Sequence, residues 1–238
     1  MKKNKNISIL GLTLARGGSK SVIKKNIKSI AGLPLIGYTI AEALKSKFIT
    51  RYIVSTDDEE IQRVSIQCGA ESPFLRPSKY STDEASSVSA MQHAVEWAEK
   101  QEGIKYDFVV ELMCTNPMKT VEDIDASIKK LISTKADSVI AVHQLEDHHP
   151  ARIKKIIDGR ITDFCIPEIP ESRRQDLKPE AYIRSGSIYA LKRDYLMIEG
   201  KRYGSNNSRP YILPPERAVN IDTEIDFMIA ELMLSKKI

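Results

Sequence analysis

The stretch ISILGLTLARGGSKSVIKKN, residues 7–26, combines two features that set the fold: an apolar run and, directly after it, a basic, glycine-rich segment. This change is typical of a buried strand that ends in a loop whose backbone N–H groups can bind a ligand. The positive charge of the loop favours a phosphate. Neither common phosphate-binding pattern, G-x-x-x-x-G-K-S/T or G-x-G-x-x-G, fits these letters, so a solvated basic turn stays open as the alternative.

Short β-rich runs alternate with helical patterns on the C-terminal side of this stretch. Strands are predicted at RYIVSTD (51–57), YDFVVELM (106–113) and DSVIAVHQL (137–145), with helices between them. This alternation is typical of βαβ units. It predicts an α/β fold with a three-layer, Rossmann-like, mostly parallel sheet.

Two helices carry specific expectations. The first covers about residues 86–101, with Thr82 and Asp83 as candidate caps. Its predicted core face consists of Val88, Met91, Val95 and Ala98. The last helix, TEIDFMIAELML (223–234), is predicted to pack on the main body. Its apolar residues at helical spacing are Ile225, Met228, Ile229 and Leu232. Thr120 is the candidate N-cap of a helix between these two.

Residues 146–184 form a Pro-, Arg- and Ile-rich segment that interrupts this pattern. Asp158-Gly159 predicts a hairpin turn between RIKKII and RITDFCI. We expect an inserted β appendage that divides the main domain into residues 1–145 and 185–238. A short hairpin cannot bury its own apolar face, so this segment is expected to mediate a homodimer.

The composition excludes several classes of protein. The chain of 238 residues suits one sizeable α/β domain, and a net charge of only +4 gives little support to nucleic-acid binding. Its three cysteines are far apart, which argues against a disulfide framework or a zinc site and favours the reduced cytoplasm. No run approaches the roughly 18 apolar residues of a membrane span, so we expect no membrane partner.

Four loops after predicted elements carry unusual residues, and ligands of such sheets bind at the carboxyl ends of the strands. The loops are ARGGSKSVIKKN, STDDEE, CTNPMKT and VNIDTEID. With FLRPSKYSTDEASS, EDHHPARI, RRQDL and SGSIYA, they resemble the CMP-sugar-acid synthetases in order along almost the whole chain. The resemblance is strongest to the N-acylneuraminate (CMP-sialic acid) cytidylyltransferases and their relatives for other nine-carbon sugar acids.

This resemblance implies a fold of the nucleotidyltransferase type and an enzyme that activates a nine-carbon 2-keto sugar acid with CTP. The anomeric hydroxyl would attack the α-phosphorus and expel pyrophosphate, a transfer catalysed by positioning and charge neutralisation. By resemblance, Lys25 contacts the reacting phosphate, Arg16 and Lys20 the phosphate tail, and Ser19 its oxygens. The remaining implied nucleotide-binding residues are Ala15, Gly17, Asn26, Arg76, Ala85 and Ser87.

The resemblance also implies a Mg²⁺ (or Mn²⁺) cofactor held by Asp222, with Asn220 in place of a second family aspartate. Asp222 could instead cap the last helix. Arg152 and Arg174 would reach the sugar carboxylate across the dimer, unless they are ordinary surface arginines. Met113 replaces a glutamine of the sialic acid enzymes, which predicts a preference for a deoxy, N-acylated acid of the legionaminic type over N-acetylneuraminate.

Several departures and alternatives stay open at this level. Ser21 and Ile23 differ from the usual glycine and proline of the family loop. A synthetase for the eight-carbon acid Kdo, another sugar nucleotidyltransferase, or a nucleotide-binding homologue with weak catalysis are the competing functions. His148 and His149 are expected to be structural.

Overall fold

A six-stranded sheet organises the computed structural model, which describes residues 7–18, 21–145 and 148–236. Its strands are β1 (Ile9–Leu14), β4 (Arg51–Ser55), β5 (Phe108–Leu112), β6 (Ser138–Gln144), β9 (Tyr182–Lys192) and β10 (Ser208–Ile212). They lie in the order β10-β6-β9-β5-β1-β4. β1 pairs in parallel with β4 and β5, and β6 with β10, whereas β9 is antiparallel to both neighbours.

Helices cover both faces of this sheet, which confirms the predicted three layers. The helices are α1 (Leu35–Leu44), α2 (Glu59–Gln67), α3 (Ser87–Glu102), α4 (Val121–Thr134), α5 (Arg193–Met197) and α6 (Glu224–Lys236). Ile9 of β1 belongs to the core that contains α1, α2 and α4. Its neighbour Leu10 belongs to the opposite core, with α3 and α5. Successive residues of one strand therefore serve two cores, as the two-residue period requires.

The predicted helix limits are confirmed, but one predicted cap is wrong. Ser86, and neither Thr82 nor Asp83, caps α3, because its hydroxyl accepts a hydrogen bond from Ser89 N at 3.1 Å. Thr120 is the N-cap of α4, as predicted, and its N–H donates to the Asp123 carboxylate at 3.0 Å. Ser86 directly precedes the first helical residue, so its hydroxyl lies closer than Thr82 or Asp83 to the free N–H groups of the first turn.

The predicted packing face of α6 is also wrong. Ile225, Met228, Ile229 and Leu232 are exposed. The helix instead buries Phe227 and Ala230 against a small core beside the loop after β1. Because α6 carries apolar residues around most of its circumference, periodicity alone does not select the side that packs.

The insertion contains the predicted hairpin. Its strands are β7 (Lys154–Ile157) and β8 (Arg160–Asp163), and a smaller pair, β2 (Ser29–Ile30) and β3 (Leu33–Pro34), lies earlier in the chain. Asp158 and Gly159 both have positive φ, 49° and 73°, as a two-residue hairpin turn requires. The main sheet resumes at Tyr182, so the last three residues of the predicted insertion, 182–184, pair with β6.

Within residues 7–18, 21–145 and 148–236, no helix has the length and apolar character needed to cross a bilayer.

Candidate functional site

A cleft lies at the edge of the sheet where β1, β4 and β5 end, since these parallel strands point their carboxyl ends the same way. It consists of two adjoining cavities of about 440 and 300 Å³ that share Leu14, Arg16 and Met113. We call the first the Lys25 lobe; its further lining residues are Ser21, Lys25, Asn26, Cys114, Thr115 and Asp222. We call the second the Arg76 lobe; it also contains Tyr80, Ser81, Thr82, Asp83, Ala85, Ser86, Ser87, Ala90 and Glu111.

Lys25 holds a fixed cation in the first lobe. Its side chain is 11% exposed, and Nζ lies 3.6 Å from Asp222 Oδ1. Nζ also donates to the carbonyl of Ile221 at 2.7 Å, which anchors the ammonium group to the segment before α6. The lobe thus presents a cation beside a carboxylate, with a further N–H of the ammonium available to a ligand.

Asp222 is not the cap of α6. Thr223 precedes the first helical residue, and its hydroxyl accepts from Asp226 N at 3.2 Å. The Asp226 carboxylate accepts from Thr223 N at 2.7 Å, which completes a reciprocal cap. The Asp222 carboxylate is 70% exposed, so it is available to a ligand.

Asn220 orients the Asp222 carboxylate by donating from Nδ2 to Oδ2 at 2.7 Å. Its Oδ1 is buried and has no hydrogen-bond partner among the residues that the structure describes. Asn220 therefore positions the Asp222 carboxylate through its amide N–H.

Asn26 joins the loop after β1 to the loop after β5. Its Nδ2 donates to the carbonyl of Arg16 at 3.0 Å, and its Oδ1 accepts from the Cys114 thiol at 3.1 Å. Burial raises the pKa of Cys114 to about 11, so the thiol keeps the proton that it donates. Two loops that line one cavity are thus tied together beneath it.

Lys119 supports the same loop from inside the protein, and sequence reasoning missed it. The side chain is fully buried, and Nζ donates to Thr39 Oγ1 at 2.7 Å, to Met113 O at 2.8 Å and to Asn116 O. Burial lowers the pKa of Lys119 to about 7. The available signal was only its position in CTNPMKT, between a strand and a helix cap.

Arg76 organises the second lobe. Its guanidinium is almost fully buried; Nε donates to Ser81 Oγ at 3.0 Å, and Nη2 lies 3.4 Å from Asp57 Oδ1. Asp57 Oδ1 also accepts from Gly17 N at 3.2 Å, so one carboxylate links this arginine to the glycine-rich loop. Burial lowers the pKa of Arg76, although an arginine stays charged at neutral pH.

The other predicted nucleotide-binding residues lie around this cleft or just beneath it. Arg16 stands between the lobes and pairs with Asp83 at 2.8 Å. Ala15 is buried at the end of β1, and a side chain at Gly17 would come within 2.7 Å of Asp58 Oδ2. Ala85 and Ser87 line the Arg76 lobe. Ser19 and Lys20 lie outside the described residues.

The predicted sugar-side arginines lie away from the cleft of their own chain. Arg152 Nη2 donates to the carbonyl of Ser172 at 3.1 Å, and Nε lies 3.7 Å from Glu168. Arg174 lines a separate cavity of about 190 Å³. Met113, by contrast, lines both lobes.

His149 is structural, as expected. It is buried, with Nε2 2.8 Å from Pro179 O and Nδ1 accepting from Ala151 N at 3.2 Å. Both ring nitrogens are therefore engaged within the insertion.

A family model described as Cytidylyltransferase matches residues 10–202 of the chain. The pseudaminic acid cytidylyltransferase of Campylobacter jejuni (strain 81-176) is 32% identical, covering 92% of this chain and 93% of its own. The CMP-N,N'-diacetyllegionaminic acid synthase of Campylobacter jejuni (strain NCTC 11168) is 29% identical over 96% of each chain.

A solved structure of a CMP:2-keto-3-deoxy-manno-octonic acid synthetase complexed with CTP has the same fold. It superposes with a TM-score of 0.71 over 97% of this chain and all of the other, at 17% identity. At that identity the likeness supports the predicted nucleotidyltransferase-type fold and nothing finer.

Proposed function

Because the chain belongs to the cytidylyltransferase family, we propose that it transfers CMP from CTP to the anomeric hydroxyl of a nine-carbon 2-keto sugar acid. The observation that carries this proposal is the Lys25 lobe, where a cation and an exposed carboxylate lie 3.6 Å apart against the glycine-rich loop. Relatives named for pseudaminic and legionaminic acids support the nine-carbon class. The eight-carbon alternative has only a likeness of fold at 17% identity.

In the proposed reaction the sugar hydroxyl attacks the α-phosphorus of CTP. A new C–O–P link forms, the bond between the α- and β-phosphates breaks, pyrophosphate leaves, and the hydroxyl proton is released. Lys25 offsets the negative charge that develops on the reacting phosphate, and Arg16 neutralises the phosphate tail. Such fixed cations act mainly on the transition state, because they need no rearrangement when the charge appears.

A divalent ion, Mg²⁺ or Mn²⁺, fits the residues of the Lys25 lobe. Asp222 offers an exposed carboxylate there. The described residues contain no cluster of three or more His, Cys, Asp or Glu side chains that could hold a metal by themselves, so the other ligands would have to come from water and substrate. One carboxylate, waters and substrate phosphates are the ligands that Mg²⁺ commonly uses with nucleotides. Asp222 would hold the ion, oriented by Asn220, and the ion would supply further charge neutralisation.

The Arg76 lobe is proposed to take the cytosine. Three of the five guanidinium N–H groups of Arg76 are used by Ser81, Asp57 and the carbonyl of Ser55. Two donors remain, and Ser87 offers its backbone N–H at the start of α3, whereas the N–H of Ala85 already donates to Thr82. Together these can address the ring's O2 and N3 acceptors.

We also propose that the protein works as a homodimer, in which Arg152 and Arg174 approach the cleft of the partner. Neither arginine lines the cleft of its own chain, which is consistent with that role. The three cysteines are free, which suits a reducing compartment such as the cytoplasm.

The proposal is tested by pyrophosphate release with CTP, UTP or ATP and a panel of nine- and eight-carbon sugar acids. We expect release with CTP and nine-carbon acids, its loss on chelation with EDTA, and recovery with Mg²⁺. Turnover only with eight-carbon acids would overturn the assigned substrate class. Normal turnover after chelation would remove the metal role of Asp222.

A further inference from the structure

Strand β9 brings its first residues, and not its last, to the ligand edge of the sheet, because it runs antiparallel to β5 and β6. Gly186 lies there, and a Cβ at this position would be 3.5 Å from Asn220 Oδ1 and 3.9 Å from Met113 Sδ. Met113 lines both lobes of the cleft. Arg184 lies two residues earlier in β9, at the same end of the strand.

Arg184 differs in its contacts from the arginines around the cleft. It is exposed, and its guanidinium carbon lies 4.4 Å from the centroid of the Tyr203 ring. In the described part of the chain no carboxylate forms an ion pair with it. The paired arginines are Arg16 with Asp83, Arg76 with Asp57, Arg202 with Glu111, and Arg217 with Asp123.

The Tyr203 ring lies next to Tyr189, which in turn packs on an arginine that is paired with a buried glutamate. Arg202 Nη1 lies 2.5 Å from the buried carboxylate of Glu111, and its guanidinium stacks 4.6 Å from the Tyr189 ring. Tyr189 and Tyr203 have ring centroids 6.2 Å apart. Glu111 itself lines the Arg76 lobe, so this stack is continuous with the wall of the cleft.

The stacked position leaves Arg184 ready for an anion. A guanidinium on an aromatic face uses its π surface, while its N–H groups lie in its own plane and stay free. Those groups match both oxygens of a carboxylate. An arginine that has no carboxylate partner among the described residues and lies next to the aromatic stack at the wall of the cleft is suited to bind an acid.

We propose that Arg184 binds the carboxylate of the sugar acid within the same chain. This inference rests on the proposed function and adds to it the group that reads the acid. In a 2-keto sugar acid the carboxylate is attached to the carbon that carries the anomeric hydroxyl. The contact that holds the carboxylate therefore also aims the attacking oxygen at the phosphate in the Lys25 lobe.

The test compares Arg184→Gln, Arg184→Lys and the control Arg209→Gln, using the nine-carbon acid that gives the highest kcat/KM in the pyrophosphate panel and the carboxamide analogue of that acid. Arg209 is also exposed and donates only to the neighbouring carbonyl of Ser208 among the described residues. Arg184→Gln should raise KM for the acid by about ten- to a hundredfold, leave KM for CTP unchanged, and abolish the preference for acid over carboxamide. Arg184→Lys should recover part of that preference, and Arg209→Gln should behave like the wild type.

Two results would overturn the inference. One is an Arg184→Gln enzyme with wild-type KM for the acid. The other is an equal loss with acid and carboxamide, which would mean that Arg184 only packs on Tyr203. Wild-type protein that releases no pyrophosphate from CTP with any nine-carbon acid would instead refute the proposed function itself, and that result precedes any comparison of variants.

Discussion

Strand β1 and the β7–β8 hairpin both contain isoleucine residues, yet these residues have opposite environments. Five of the six residues of β1 are buried, because two strands flank it and helices cover both faces. All eight residues of β7 and β8 are exposed. Ile156 and Ile161, directly opposite each other, are 76% and 73% exposed.

The difference separates the part of the chain that has a buried core from the part that we propose packs against a second copy. The cleft stands on a sheet whose core is complete, so the geometry of Lys25, Asp222 and Arg76 is set within the chain. The hairpin is two-stranded and has no layer to cover its apolar side, a form that is marginal in water. We therefore expect changes in the cleft to affect chemistry and changes in the hairpin to affect assembly.

The largest expected effect is the loss of turnover when the cation of the cleft is removed. Lys25→Ala should lower kcat by about 100- to 1000-fold while CTP binding is largely kept, because a cation beside the reacting phosphate acts mainly in the transition state. The matched control is Lys24→Ala, since Lys24 is exposed and pairs with Glu60 at 2.5 Å. Steady-state kinetics and CTP titration measure both; an unchanged kcat for Lys25→Ala contradicts its assigned role.

The next prediction concerns association through the hairpin. Adding charges with Ile156→Glu and Ile161→Glu should convert the proposed dimer to monomers without changing the unfolding transition of the main sheet, because both side chains are already exposed. Thr162→Glu, on the other face of β8, is the control and should stay dimeric. Sedimentation of the pure proteins decides the matter. A wild-type monomer with full activity would exclude Arg152 and Arg174 from the sugar site.

A smaller effect concerns specificity inside the cleft. Met113 offers a thioether where a glutamine amide would pair with polar groups of the substrate, so the wild type should prefer a deoxy, N-acylated acid to N-acetylneuraminate. An unpaired buried polar group costs roughly 1–3 kcal/mol, or about a ten- to hundredfold preference. Met113→Gln should narrow that ratio of kcat/KM values. If the two proteins give the same ratio, position 113 does not read the sugar.

A further effect is a pH dependence of stability caused by Lys119. Its pKa in the folded protein is about 7, whereas an unfolded lysine keeps its proton to about pH 10. The unfolded state binds more protons between these values, so the contribution of Lys119 to the free energy of unfolding rises with pH across that window. Denaturant unfolding of wild type and Lys119→Met at about pH 6.5 and about pH 9.5 measures it. The difference between the two proteins should shift towards the wild type at high pH, and a constant difference would show that Lys119 has an ordinary pKa.

The sequence predicted those parts of the fold that local patterns determine. β1 and α3 follow from an apolar run and from helical spacing, and Asp158-Gly159 fixes its hairpin through backbone conformation. The packing face of α6 could not be read, because several faces of that helix are apolar and only its contact with the loop after β1 selects Phe227. The N-cap of α3 was predicted wrongly because several hydroxyl and carboxylate side chains that can cap a helix lie within a few residues of each other.

The site divides in the same way. Lys25, Asp222 and Arg76 were found through a resemblance of loop motifs, and the structure brings them to one edge of the sheet. The contacts of Lys119 and the exposure of Arg184 depend on strand pairing between distant segments. Arg184 reaches the ligand edge only because β9 runs antiparallel to its neighbours, an orientation that no local pattern encodes.

The most direct test of the central claim, that the sugar hydroxyl attacks the α-phosphorus in the Lys25 lobe, is to follow the anomeric oxygen of the substrate. A nine-carbon sugar acid carrying oxygen-18 at the anomeric hydroxyl is incubated with CTP and Mg²⁺, and both products are analysed by mass spectrometry. The account predicts that the label bridges sugar and phosphorus in the CMP-sugar, with one unlabelled pyrophosphate released for each product. Label in the pyrophosphate, or a CMP-sugar without label, would contradict it.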